Sequence, residues 1–303
     1  MVKCGIAGWI DKSLIGSGLF YPKRARSSEE RLQHYSSQFP VVEVDSSYYG
    51  MPTRKNSDYW VARTPKTFTF DVKSFSLFTQ HPTKFNALPP EIREGVPKEQ
   101  QGKNLYLEKL PPDVVDAAWD AFRDALEPLQ AAGKLGAVFF QYSPWFFPTS
   151  KSLAYIERCQ ERMYGFQVAV EFRKREWLDE RHASGTVTFL RSRGIPYVAV
   201  DVPQGYSTSL PPLADATSDK LAVIRFHGRN HETWNLKGVP PSVRFQYLYS
   251  DEELSEWVPR IRELEERTAE VHAIMNNNYS NYSVQNAHQL ERLLEEAAAS
   301  AKG

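Results

Sequence analysis

Cysteine is nearly absent. Cys4 and Cys159 are the only two in 303 residues, too few for a disulfide framework or a multi-cysteine metal site, so each is expected to be a small buried hydrophobe. Long apolar runs are also missing. No stretch approaches the roughly 18 apolar residues that span a bilayer, and Met1 to Trp9 holds one lysine and no run of signal length. A soluble, cytoplasmic protein without a membrane partner is the expectation. Neither sign of charge dominates: Lys plus Arg and Asp plus Glu stand at 37 each. That balance argues against a generally basic chain that coats nucleic acid, and leaves room for a local basic groove. No glycine- or serine-rich linker divides the chain, so residues 1–303 read as a single domain. Gly5-Ile6-Ala7-Gly8 lacks the third glycine of a dinucleotide fingerprint, and no P-loop Gly-Lys-Ser/Thr occurs. Ser-His-Asp and Cys-His signatures are absent too.

What the chain does have is aromatic weight, with 15 Tyr, 17 Phe and 7 Trp, and a regular alternation of apolar runs with amphipathic stretches. Eight strands are expected: Lys3–Gly8, Val41–Asp45, Phe68–Lys73, Leu135–Gln141, Gln167–Arg173, Pro196–Val202, Leu221–His227 and Glu270–Asn276. Most are near-continuous apolar runs, the pattern of parallel strands buried on both faces. Ser27 with Glu30 and Ser250 with Glu253 have capping-box spacing before apolar stripes, and two further stripes run over Val115–Leu129 and Val284–Leu294. The polar, proline-bearing stretch from Ser74 to Pro112 is too long for an ordinary connection and reads as a lid or insertion. Eight alternating strands predict an α/β protein, a (β/α)8 TIM-type barrel more economically than an open doubly wound sheet.

Polar residues gather at the carboxyl end of every strand: Trp9, Glu43 with Asp45, Lys73, Gln141, Glu171 with Arg173, Asp201, Arg225 with His227 and Arg229, and Asn276 to Asn278. In a parallel barrel these ends converge on the face that carries active sites. Strand ends meet solvent in any case, so each position alone is weak evidence. The recurrence of carboxylates and cations, expensive to bury, is stronger. Mutual neutralisation among them is the competing explanation.

These segments carry a family likeness. Gly5-Ile6-Ala7-Gly8-Trp9, Phe20-Tyr21-Pro22, Val42-Glu43-Val44-Asp45-Ser46-Ser47-Tyr48-Tyr49, Phe70-Asp71-Val72-Lys73, Leu135-Gly136 through Gln141, Glu171-Phe172-Arg173 with Trp177, Arg225-Phe226-His227-Gly228-Arg229, and Asn276-Asn277 followed by Asn286-Ala287 resemble the DUF72 family, also called YecE-like. The likeness runs from residue 4 to about 294. It implies a TIM barrel and supplies no reaction. The chain departs from the usual pattern at Ala7, where relatives commonly have Ser, and at Asp45, where they commonly have Asn; Ala7 is thereby a poor nucleophile candidate, and Asp45 adds a carboxylate.

The chemistry expected of this set is acid–base, without a cofactor or bound metal. Glu171 and His227, with Glu43 and Asp201, are the candidates to move protons. Trp9, Asp45, Tyr49, Lys73, Gln141, Arg173, Arg225, Gly228, Arg229, Asn276 and Asn277 are the candidates to bind a ligand, with Arg225 and Arg229 flanking a permissive glycine as an anion clamp. The ligand class is anionic and hydroxyl-rich: a phosphorylated sugar, a nucleotide or a nucleic-acid end. Three alternatives stand beside it: a non-catalytic ligand- or nucleic-acid-binding protein, a glycosidase-like pair of Glu43 and Glu171, and a carboxylate-held magnesium site.

Overall fold

The computed structural model describes residues 1–236, 238 and 241–300. Its strands are β1 (Val2–Ala7), β2 (Val41–Val44), β3 (Thr69–Lys73), β4 (Thr83–Lys84), β5 (Asn104–Leu105), β6 (Leu135–Gln141), β7 (Val168–Glu171), β8 (Val198–Asp201), β9 (Leu221–Phe226) and β10 (Glu270–Met275). All eight expected strands are there. Leu135–Gln141 is reproduced to the residue, while Asp45, Arg173, His227 and Asn276 fall just past the last paired position of their strands. The eight long strands are hydrogen-bonded in the order β7-β6-β3-β2-β1-β10-β9-β8, so strands successive in sequence are neighbours except β7 and β8, which end the order. Parallel strands in that order, each joined to the next through helices except β8 to β9, define the α/β class and the TIM-type barrel.

The chain forms two compact units, Met1–Glu43 with Arg175–Gly303 and Val44–Lys174. In the first, β1 pairs with β2 and β10, and β9 with β10 and β8, all parallel. Every residue of β9 is buried, as a strand covered on both faces requires. Gly5 permits the β1–β2 approach: a Cβ there would lie 2.1 Å from the Val41 carbonyl oxygen. His272 is fully buried within β10 and bonds Glu270 at 3.1 Å, a satisfied interior histidine. Both capping boxes form, at Ser27 and Ser250. The stripe after Ser250 does not make one helix, however. It breaks into Asp251–Ser255 and Val258–Arg267, because the Pro259 ring cannot continue a helix past the carbonyl four residues earlier, that of Ser255.

In the second unit β6 lies between β3 and β7. The helix Pro112–Ala131 buries Val114, Ala118, Trp119, Phe122, Leu126 and Leu129. Against it packs the segment after β3, which is structured rather than irregular: β4 and β5 pair antiparallel, and Phe75, Leu77, Phe78, Leu88, Ile92 and Val96 are buried. Phe78 stacks on Trp119 with centroids 3.7 Å apart. Burying side chains of this size contributes about 1.5–3 kcal/mol each, so the stretch is a packed insertion. No helix among the described residues is long and apolar enough to cross a membrane.

Candidate functional site

In the first unit, most of the expected polar residues are engaged with one another. Arg225 reaches Glu43 through Nε at 2.8 Å and Nη2 at 2.7 Å, with the two side chains 1% and 0% exposed. Removing either partner of a guanidinium–carboxylate pair this deep leaves a buried charge, at a cost of about 3–5 kcal/mol. Asp201 is held more fully still. It accepts from Arg229 Nε at 2.9 Å and Nη2 at 2.8 Å, from the Tyr249 hydroxyl at 2.8 Å and from the Trp257 indole at 2.6 Å. Arg229 also reaches Glu256 at 2.8 Å, and these acceptors raise its affinity for its proton.

The anion clamp expected of Arg225, Gly228 and Arg229 is therefore occupied by protein. Gly228 adopts φ of 88°, and a Cβ there would meet the Tyr247 Cβ at 2.7 Å. Its N–H donates to Tyr249 at 2.8 Å. The space read from sequence as open to a phosphate is filled by Tyr247, and the mutual-pairing alternative describes these hydrogen bonds. Trp9, 3% exposed, donates to the Ser28 carbonyl, so its ring is packing and offers no platform.

Amides organise the end of β10. Asn276 Nδ2 lies 2.7 Å from His227 Nδ1, within hydrogen-bond distance. Asn277 donates to the Tyr247 carbonyl and to Asn286 Oδ1 at 2.8 and 2.7 Å, Asn286 donates to the Tyr249 carbonyl at 3.0 Å, and Asn278 donates to the Ala7 carbonyl at 2.8 Å. These side chains shape the chain rather than present amides outward.

The second unit groups Lys73, Gln141, Glu171 and Arg173 with aromatic neighbours. Glu171 ends β7 with no exposure, and its Oε1 accepts from Gln141 Nε2 at 2.6 Å and Arg173 Nη1 at 3.3 Å. The Lys73 ammonium lies 4.6 Å from the centre of the Tyr48 ring, a cation–π contact. Ser47 fixes that corner by donating to the Lys73 carbonyl at 2.5 Å. His81 stands edge-on to Tyr48 and Trp145, with Thr79 Oγ1 2.9 Å from its Nδ1. Burial, and then the positive charges of Lys73 and Arg173, lower the His81 pKa to about 4. Tyr49 is 64% exposed beside Tyr48, and Asp45 is half-buried just past β2. Among the described residues no group of three or more His, Cys, Asp or Glu side chains is placed to hold a metal ion.

Sequence reasoning missed His81, Tyr249 and Trp257. For His81 a signal existed, since it lies in a short segment following a strand whose end was already read as polar. Tyr249 and Trp257 carried none: they belong to a cap and a helix start, and only folding brings them to Asp201.

Fold and strand ends together define a TIM-type barrel protein with charged and aromatic side chains at the carboxyl ends of its strands. The chain belongs to the DUF72 family, described as a protein of unknown function, whose match covers residues 3–302. UPF0759 protein YunF of Bacillus subtilis (strain 168) is 32% identical over 298 residues, 97% of this chain and 95% of YunF. A solved DUF72 family structure from Enterococcus faecalis V583 aligns at TM-score 0.79 with 25% identity, covering 97% of this chain and 96% of that one. One from Thermotoga maritima MSB8 aligns at 0.74 with 29% identity, covering 97% and 99%.

Proposed function

We propose that the protein is an acid–base enzyme, hydrolytic or lyase-like, for an anionic, hydroxyl-rich ligand such as a phosphorylated sugar, a nucleotide or a nucleic-acid end in the cytoplasm. The observation that supports this reading is the second unit's grouping of a buried carboxylate with cations. Two positive charges, Lys73 and Arg173, bear on one small region, where burial and then those charges lower the His81 pKa to about 4, and Glu171 is fixed there by Gln141 and Arg173. Of the four carboxylate and imidazole candidates, Glu171 best suits proton transfer. Glu43 and Asp201 are saturated by arginine, phenol and indole donors, and His227 has its Nδ1 engaged by Asn276.

In this reading Lys73 and Arg173 take the ligand's negative charge by charge-assisted hydrogen bonds. Arg173 and Gln141 orient the Glu171 carboxylate, which accepts a proton from an attacking water or from the ligand's carbon acid. Neutral His81 offers a ring nitrogen to a hydroxyl. Tyr48 and Tyr49 supply apolar faces for a sugar or a base.

The test combines turnover with binding. Phosphomonoester, phosphodiester and glycoside substrates are screened against wild type and Glu171→Gln, and the melting temperature is followed with millimolar phosphate. Expected are turnover that falls about 100-fold or more in Glu171→Gln, and a phosphate-induced rise in melting temperature that survives Glu171→Gln and is lost in Lys73→Ala with Arg173→Ala. A phosphate response without any turnover would make the protein a binder. No response to any phosphorylated compound would overturn both readings.

A further inference from the structure

A cleft of about 860 Å³ lies in the second unit, between the helices Pro112–Ala131 and Ser150–Arg162 and the end of the insertion. Its rim carries two large exposed rings, Trp145 at 54% and Tyr106 at 38%. Exposed aromatics of this size rimming one concavity are unusual on a surface that serves only solvation. Trp145 is held in place: its indole N–H donates to the Gln80 carbonyl at 3.2 Å, and Gln80 itself adopts a left-handed φ of 59°. A non-glycine residue kept in that region is a strain retained where the surroundings enforce it.

The charges of the cleft are uneven. Arg162 is neutralised by Asp116 at 2.6 Å. Lys151 and Arg158, both exposed, make no ion pair among the described residues, and Glu108 is the carboxylate that remains near them. Two cations against one carboxylate suit an anion, and the rings suit a flat, unsaturated group. Trp145 also lies 5.7 Å from His81, ring centre to ring centre, so the cleft begins where the Lys73–Arg173 group ends.

From this we infer that the cleft is a nucleotide subsite, in which a base stacks on Trp145 and Tyr106 and its phosphate is taken by Lys151 and Arg158. The inference deepens the reading of the adjoining site and rests on it for where chemistry occurs, not for whether the cleft binds. It selects nucleotides over phosphorylated sugars, because a sugar phosphate would satisfy the cations and leave facing water the Trp145 ring and the face of Tyr106 opposite the Lys109 ammonium, which lies 5.1 Å from that ring's centre. A free nucleotide and the end of a strand share this chemistry.

The test is titration of wild type, Tyr106→Ala and Arg158→Ala with thymidine 5′-phosphate, the dinucleotide pTpT, a ten-residue oligothymidylate and ribose 5-phosphate, followed by tryptophan fluorescence. The result expected is quenching by pTpT with affinity about tenfold or more above ribose 5-phosphate. Each substitution should weaken the nucleotide about tenfold, a typical effect of losing one stacking ring, while the phosphate response of Lys73 and Arg173 persists. Tighter binding of the oligothymidylate than of pTpT assigns the cleft to a strand end, and equal binding assigns it to a free nucleotide. Ribose 5-phosphate binding as tightly as pTpT, or nucleotide affinity unchanged in both variants, would overturn the inference. Nucleotide binding without turnover would instead remove the enzymatic reading and leave the subsite standing.

Discussion

His81 sits among groups that oppose its protonation, since burial removes water from the ring and Lys73 and Arg173 repel the added charge. The consequence for stability has a definite sign. With a folded pKa of about 4 against 6.5 unfolded, the unfolded chain binds more protons between those values, so stability falls as pH drops through that window and is indifferent to His81 above it. The full difference is about 3 kcal/mol at most. Urea denaturation of wild type and His81→Gln at pH 7 and pH 4.5 should show the variant gaining relative to wild type at the lower pH; parallel losses in both would mean that His81 titrates normally. The same residue marks a limit of legibility. Sequence showed that cations end β3 and β7, because polar residues at strand ends are a local pattern. It did not show that Arg225 closes on Glu43, 182 residues away, since which charges neutralise one another depends on register and rotamer.

At the scale of elements, the alternation of apolar runs was enough to place all eight long strands, because a strand buried on both faces announces itself in continuous sequence. The helix ends were legible for a similar reason: caps are local hydrogen bonds between residues three apart. What escaped was the break at Pro259 and the ordered core of the insertion, whose apolar residues, Phe75 to Val96, are spaced for turns rather than for either regular period. The Ser250 cap matters beyond its own helix, since the turn it starts carries Glu253 and Glu256 toward Arg229 and leads to Trp257 on Asp201. Ser250→Ala should cost about 1 kcal/mol and Ser250→Gly a few tenths, as read by the urea midpoint. Equal losses in the two variants would show that the hydroxyl's hydrogen bond to Glu253 N–H contributes little.

For the whole molecule the question is whether it unfolds as one cooperative body. The two cysteines report on it, one in each unit: Cys4 in β1 and Cys159 in the helix Ser150–Arg162. Both are buried, at 2% and 0% exposure. Burial raises the Cys4 thiol pKa well above its ordinary value and lifts Cys159 to about 12, so the reactive thiolate is scarce in the native state. A thiol reagent should therefore leave the native protein almost untouched and modify both cysteines after denaturation. The chain passes between the units without a linker, once inside β2 and once just after β7, so neither unit is bounded by the flexible segment that independent folding usually accompanies. The expected outcome is that Cys4 and Cys159, followed separately by mass spectrometry of labelled peptides, become reactive at the same urea concentration, in one transition that coincides with loss of helical signal. Labelling of one cysteine at a clearly lower urea concentration than the other would show two independently unfolding bodies and would set aside the single-domain expectation drawn from the sequence.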